Sequence, residues 1–195
     1  MIICICAIDK SIFVGGLMKI FVIRHGEVCY TWSRWCTSEE FDKECIAYDQ
    51  ASIKYTAYKL PSIGTDNVFI SSLSRSRETA ESIFNNVMPR RTEWVDEVPL
   101  KSSFDTKIRL PLWFWNLSGR LQWYVNSSKQ PEGRSCTQER ARKIVDLICK
   151  EGIDGVIVTH GFFMHTLLRE MKQRGFIIGN SRISYQNGGY VIAEK

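Results

Sequence analysis

The chain has no low-complexity linker, no internal repeat and no apolar run long enough to span a bilayer. These absences exclude a repeat array and make stable insertion into a membrane unexpected. A chain of 195 residues without a linker is expected to form one domain with a sizeable core. Hydrophobic residues make up 44% of the chain and charged residues 24%, as in ordinary soluble proteins, so we expect a cytoplasmic location.

Motifs for binding nucleic acids and metals are also missing. The net charge of +5 is mild, and the basic clusters at 90–91 and 140–143 are typical of solvated faces, so no nucleic-acid partner is expected. The seven cysteines fit neither a zinc site nor a disulfide framework, which favours reduced thiols. No metal and no cofactor is predicted, although Cys29, Cys36 and Cys45 share one region and leave a metal or redox role as a minor alternative.

The first residues differ from the rest of the chain. Residues 1–17 are largely apolar but are interrupted by Asp9 and Lys10, and they lack a basic region at their start. Met18 stands directly before an apolar, strand-like run. We therefore predict a non-catalytic leader over 1–17 and a single domain over 18–195, with a degenerate signal peptide as the alternative for the leader.

Strand-like and helix-like segments alternate along the domain, which favours an α/β fold with a mostly parallel central sheet and helices on both faces. Predicted strands cover 19–23, 67–71, 94–95, 155–159 and 190–193. Predicted helices run from a capping box at 37–40 toward Asp49, from 75 to about 87 with Ser74 as the cap, from a second capping box at 135–138, and from 162 to 174 before Gly175.

One segment, 112–125, is unusually rich in aromatic residues. Aromatic side chains at this density could line a substrate pocket, form a lid or dock a partner. The favoured interpretation is a helix packed onto the sheet, with Pro111 in its first turn.

Three apolar strands are each followed by a side chain suited to bind phosphate. The three sequences are Arg24-His25-Gly26-Glu27 after the first strand, Ser71-Ser72-Leu73-Ser74-Arg75 after the second, and Thr159-His160-Gly161 after the third. Because ligands of open α/β sheets bind beyond the carboxyl ends of the strands, two arginines and two histidines are expected to form one cationic pocket. One imidazole would be free to act as a nucleophile, which predicts phosphoryl transfer through a phosphohistidine.

Taken singly, each of these residues has an ordinary structural explanation. Arg24 could be a surface charge and His25 a buried core histidine, but Gly26 allows a ligand close to the backbone. Arg75 lies at a predicted helix N-terminus, where a cation is unfavourable unless an anion is near. Arg77 is either a rim contact or an ion pair with Glu81 at i+4. The remaining histidine, His165, falls inside a predicted helix and is interpreted as structural or peripheral.

These three motifs, in this order and spacing, resemble those of the histidine phosphatase superfamily, whose fold is the phosphoglycerate mutase-like three-layer sandwich. The resemblance covers about 18–195. It implies that His25 is the nucleophile and that Arg24, Arg75 and His160 hold the phosphate oxygens, with Gly26 and Gly161 in the same phosphate-binding set. It also implies a general acid between the second and third motifs.

The best match for the general acid is Glu97, with its neighbour Asp96 as the rival and Asp105 as a more distant candidate. Adjacent residues of an extended segment point in opposite directions, so only one of the two neighbours is expected to face the pocket.

The chain departs from the family pattern in two places. Val28-Cys29 stands where many members carry Thr or Ser, and Gly133-Arg134-Ser135 stands where many carry Gly-Glu-Ser, which predicts an inverted charge near the rim. The expected function is a metal-independent phosphomonoester hydrolase acting on a small phosphoester or a phosphoprotein. The alternatives are a phosphoglycerate-type mutase and a weakly active, phosphate-dependent binding module. Neither the substrate nor the oligomeric state follows from the sequence.

Overall fold

The structure is a computed structural model that describes residues 17–84, 87–179 and 185–195. The predicted leader lies outside the described residues except for Leu17, so its role stays a prediction. None of the helices in these three ranges is both long enough and apolar enough to cross a membrane.

The central sheet has six strands in the order β4-β3-β6-β1-β8-β7. Neighbours from β4 to β1 are parallel, whereas β8 runs antiparallel to both β1 and β7. The strands are β1 Lys19–Arg24, β3 Val68–Ile70, β4 Arg90–Arg91, β6 Gly155–Thr159, β7 Ile177–Gly179 and β8 Tyr190–Glu194, and a separate two-stranded sheet pairs β2 Trp35–Cys36 with β5 Leu110–Pro111. The predicted α/β class with a mostly parallel sheet is confirmed.

The sheet is buried on both faces because its central strands are apolar at consecutive positions. Ile20 and Val22 of β1 belong to a first core cluster, on one face of the sheet, and Phe21 and Ile23 belong to a second core cluster, on the other face. Successive side chains of a strand point to opposite faces, so each strand contributes to both cores. Every residue of β6, in the middle of the sheet, is buried.

Five α-helices accompany the strands in the described part of the chain. They are α1 Ser38–Gln50, α2 Ser74–Ile83, α3 Leu112–Tyr124, α4 Arg134–Glu151 and α5 Gly161–Gln173. Helices α4 and α5 pack on the first core cluster, and α2 packs on the second, which places helices on both faces of the sheet.

The two predicted capping boxes have different outcomes. At α1 the box is confirmed, since the Thr37 hydroxyl accepts from the Glu40 amide at 3.2 Å and the Glu40 carboxylate accepts from the Thr37 amide at 2.8 Å. The box at 135–138 is wrong, because α4 begins at Arg134. There the Asn126 side chain, from the preceding turn, accepts the amide proton of Ser135 at 2.8 Å and takes the role of the cap.

Two other boundaries also differ from prediction. Ser74 is the first residue of α2 rather than its cap, and the helix ends at Ile83, before the predicted end near 87. The segment Glu93–Val95 is a 3-10 helix and not the predicted strand. The Thr92 hydroxyl accepts from the Trp94 amide at 3.2 Å and so favours the turn over extension.

The aromatic segment forms helix α3, as favoured, but its main partner is not the central sheet. Trp115 is fully buried against Phe41 of α1, with ring centroids 5.8 Å apart, and its indole donates to the Cys36 carbonyl at 3.0 Å. Pro111 directly precedes the helix instead of lying in its first turn. Helix α3 therefore joins α1 and the two-stranded sheet in a cluster beside the main core.

Candidate active site

The parallel pairing of β1 with β6 brings two of the predicted motifs together. Arg24 is the register partner of Thr159, and the residue after each of them is a histidine. The rings of His25 and His160 consequently lie with their centroids 4.9 Å apart. Both imidazoles are buried, with 1% and 0% of their surfaces exposed.

Hydrogen bonding fixes the tautomer of His25. Its Nδ1 lies 2.7 Å from the Gly26 carbonyl oxygen. Because a carbonyl only accepts, Nδ1 carries the proton and Nε2 carries a lone pair. Burial, followed by the positive charges of Arg75 and Arg24, lowers the pKa of His25 from 6.5 to about 3. His25 is therefore a neutral imidazole with a free basic nitrogen across the physiological pH range.

His160 has both of its ring nitrogens engaged. Arg75 Nε donates to Nδ1 at 3.2 Å, so the proton resides on Nε2, which donates to the Ser71 hydroxyl at 2.7 Å. Burial and the nearby His25 and arginines lower the pKa of His160 well below its ordinary value. The Nε2–H group of His160 donates to the Ser71 hydroxyl, so it can donate to a phosphate oxygen only after that hydrogen bond breaks.

Arg75, in the first turn of α2, is almost completely buried, with 1% of its surface exposed. Its Nη1 donates to the carboxylate of Asp49 at 2.9 Å, and its guanidinium lies 5.1 Å from the ring centre of Tyr48. A buried cation requires an anionic partner, and α1 supplies one. Asp49 was not predicted from the sequence, although the requirement of Arg75 for an anionic partner pointed to a nearby carboxylate.

Arg24 completes the group of four predicted cationic or imidazole side chains. Its Nη1 donates to the Tyr185 carbonyl, whereas its Nε is buried without a hydrogen-bond partner among the described residues. A Cβ added at Gly161 would lie 2.9 Å from that Nε, so only glycine leaves room for the guanidinium. An unpaired buried donor is costly, and a bound anion would relieve that cost.

Gly26 has a structural reason to be glycine. A Cβ at this position would collide with the Tyr58 hydroxyl and would lie 3.2 Å from Ile53. Its own amide donates to the Thr79 hydroxyl at 2.9 Å. The Gly26 amide therefore already has a hydrogen-bond partner within the protein, and the Gly26 carbonyl orients the ring of His25.

The carboxylate of Glu97 caps helix α5. It accepts from the amides of Phe163 at 3.0 Å and Phe162 at 3.4 Å, in the turn that directly follows His160. A carboxylate at a helix N-terminus is stabilised by the free N–H groups and the helix dipole. Glu97 thus lies beside the third motif, where a general acid would be needed.

Asp96 and Glu97 both line the same cleft, so the expectation that only one of them could do so is wrong. Asp96 accepts from the amide of Ser72 at 2.6 Å and from its hydroxyl, and burial raises the pKa of Asp96. Their carboxylates therefore bind different segments, the loop between β3 and α2 and the N-terminus of α5. Asp105 is exposed and is not part of the cleft.

Two arginines hold the segment that carries these carboxylates. Arg140 donates to the carbonyls of Glu93 and Asp96, both at 3.0 Å, and forms a mostly buried ion pair with Glu132 at 3.0 Å. Arg120 donates to the Val98 carbonyl at 3.0 Å. The segment on either side of Glu97 is thereby anchored to α3 and α4.

The cleft has a volume of about 530 Å³ and reaches Arg75 and Glu97 from the side of α1 and α3. It is of the size used for small-molecule ligands. His25 is not among the residues that line the cleft, and the centroid of its ring lies 4.9 Å from that of His160.

The remaining predicted residues lie outside this arrangement or have packing roles. His165 stacks on Tyr185 at 4.0 Å, and Arg77 forms an exposed pair with Glu81 at 3.7 Å. Val28 is buried and forms a bridge with Ile53.

The predicted charge inversion at the rim is wrong. Arg134 lies over the ring of Tyr124 at 4.6 Å and does not line the cleft, whereas Glu132 does.

The five cysteines between Cys29 and Cys149, which the structure describes, give no sign of metal or redox chemistry. Burial raises the pKa of Cys45 to about 12, which disfavours a thiolate ligand or nucleophile. In the ranges that the structure describes, all cysteines are free and no three His, Cys, Asp or Glu side chains form a cluster that could hold a metal ion.

Solved structures share this fold. The open reading frame Rv3214 of Mycobacterium tuberculosis is 17% identical, with 80% of each chain covered and a TM-score of 0.52. A mycobacterial glucosyl-3-phosphoglycerate phosphatase is 16% identical, with 81% of each chain covered and a TM-score of 0.51. No curated protein shows significant sequence similarity to this chain.

A family model described as histidine phosphatase superfamily (branch 1) matches residues 20–194, which include all three strand-end motifs. The buried histidine pair and the two arginines around it lie at the positions that the motifs assign. The chain therefore belongs to the histidine phosphatase superfamily.

Proposed function

We propose that the protein hydrolyses phosphomonoesters without a metal, through a phosphohistidine formed on His25. One observation carries the proposal: the Gly26 carbonyl holds the proton on Nδ1, which leaves an unprotonated Nε2 beside cationic side chains. A neutral imidazole is a competent nucleophile, whereas a protonated one has no lone pair to offer.

The reaction proceeds in two displacements. First, His25 Nε2 attacks phosphorus, the bond from phosphorus to the ester oxygen breaks, and Glu97 protonates the departing oxygen. Then a water oxygen attacks the phosphohistidine, the P–N bond breaks with its electron pair returning to Nε2, and the Glu97 carboxylate takes the proton of the water. Each step regenerates the group that the other step needs.

Negative charge in the transition state would be balanced by groups that lie close to the two histidines. The unpaired Nε of Arg24, the guanidinium of Arg75 and the N-terminus of α5 all lie around the two histidines. Phosphoryl transfer depends mainly on such preorganised donors and on positioning. An incoming phosphate would replace Asp49 on Arg75 and relieve the buried Nε of Arg24.

A hydrolase is proposed ahead of a mutase because Arg75 and Arg140 of the described cleft are paired with the protein's own carboxylates. The similar mycobacterial structure is a phosphatase by its name, which agrees with this choice.

The test uses 4-nitrophenyl phosphate in the presence of a chelator. We expect turnover by the native protein, loss of at least a thousandfold in His25→Asn, and retention in the control His165→Asn, which changes a histidine outside the site. Rapid quenching should trap a phosphorylated protein whose label is stable to base and labile to acid. Absence of turnover across a panel of phosphomonoesters would refute the proposal and favour a binding module.

A further inference from the structure

The cleft beside Arg75 carries more acidic than basic side chains. Its wall contains five carboxylates, Asp49, Glu93, Asp96, Glu97 and Glu132, and three arginines, Arg75, Arg120 and Arg140. We infer that this site selects small phosphomonoesters with an apolar leaving group that is neutral or cationic, and disfavours esters that carry a second anion. The inference rests on the proposed function and concerns its substrate class.

One of the three arginines is not available to a second anion, and another has a carboxylate close to its charge. Arg140 is saturated by the Glu132 carboxylate and by backbone carbonyls, and both members of that pair are mostly buried. Arg120 donates to the Val98 carbonyl and stacks on Phe162 with 3.8 Å between the guanidinium carbon and the ring centre, and the nearby carboxylate of Glu97 offsets part of its charge. The reacting phosphoryl group needs Arg75.

Asp49 gives the cleft a place for a cation. Its side chain is 46% exposed, and its carboxylate has Arg75 as its partner at 2.9 Å. When a phosphoryl group takes Arg75, the carboxylate loses that partner at the rim of the cleft. An ammonium group on the leaving side of the substrate would restore a partner, whereas a carboxylate or second phosphate would face Asp49 with like charge.

The rest of the wall is apolar and aromatic. Trp32 and Tyr48 lie with ring centroids 5.2 Å apart, and Leu73, Leu100 and Leu112 line the same cleft. Such a surface favours an aryl or alkyl group over a polyhydroxylated one. At about 530 Å³ the cleft accommodates a small molecule of this kind.

The experiment compares three aryl phosphates that differ only at the far end of the leaving group. They are 4-ethylphenyl phosphate, 4-(2-aminoethyl)phenyl phosphate and 4-(2-carboxyethyl)phenyl phosphate, whose phenols are of similar acidity. We expect kcat/KM to be highest for the ammonium ester, and the carboxylate ester to be at least roughly tenfold worse than the ammonium ester at low salt. The ratio should shrink in 1 M salt, because exposed charges are screened.

Asp49→Asn should reduce the ratio of ammonium to carboxylate ester by roughly fivefold, whatever its effect on absolute rates. Glu81→Gln, which removes an exposed carboxylate outside the cleft, should leave the ratio unchanged. Equal rates for the three esters, or a preference for the carboxylate ester, would overturn this inference while leaving the hydrolase intact. If none of the three is hydrolysed faster than by His25→Asn, the proposed function itself fails.

Discussion

Burial of a neutral His25 makes the stability of the protein depend on pH. The unfolded chain binds a proton at this residue below pH 6.5, whereas the folded protein binds it only below about 3. Stability rises with pH wherever the unfolded state holds more protons, so the contribution of His25 is lost as pH falls through 6.5 and levels off near 3. Between pH 7.5 and pH 5, this linkage amounts to about 2 kcal/mol.

The substitution His25→Asn removes this linkage and keeps a polar side chain in the site. Free energies of unfolding would be measured by urea titration at pH 7.5 and pH 5 for both proteins. All other titrating groups, His160 among them, are common to the two proteins. We expect the native protein to lose about 2 kcal/mol more than the variant on acidification.

Equal losses in the two proteins would mean that His25 titrates as an exposed imidazole does. In that case, His25 would not be the neutral nucleophile whose tautomer Gly26 fixes. The pH dependence of kcat/KM offers a second check, since no acid limb near pH 6.5 should arise from His25.

Three further substitutions test the site. Glu97→Gln should lower kcat for alkyl phosphates by roughly 10²–10⁴-fold and affect activated aryl esters far less, and the same pattern in Asp96→Asn instead would reassign the acid. Gly161→Ala should raise the Kd for inorganic phosphate, because the added Cβ would crowd the guanidinium of Arg24, and unchanged binding by calorimetry would contradict that geometry. Arg140→Gln should lower the free energy of unfolding by about 3 kcal/mol in urea, since it leaves a buried carboxylate unpaired, and a loss below about 1 kcal/mol would show the pair to be dispensable.

Much of the fold and part of the candidate site could be predicted from local sequence. Apolar runs ending in Arg24, Ser71 and Thr159 predict buried parallel strands, and parallel strands bring their carboxyl ends to one edge. The capping box at Thr37 could likewise be predicted from the sequence, because its donors and acceptors lie within one helical turn. These features depend on neighbours in the chain, so they follow from the order of the residues.

The partners of the site residues could not be predicted in this way. The pairing of Arg75 with Asp49 joins residues 26 positions apart, and the bond between His160 and Ser71 joins residues 89 positions apart. Local patterns carry no information about such distances. The same holds for the acid segment, where Arg140 from α4 sets the backbone path.

The sequence by itself determined which residues stand at the ends of the strands, and with them the chemistry available at the edge of the sheet. Only the tertiary structure decided the protonation of His25, the carboxylate that neutralises Arg75 and the elements to which Glu97 and Asp96 are committed. The physical reason is that desolvation and long-range hydrogen bonds arise from packing between elements, whereas strands, turns and caps arise within them.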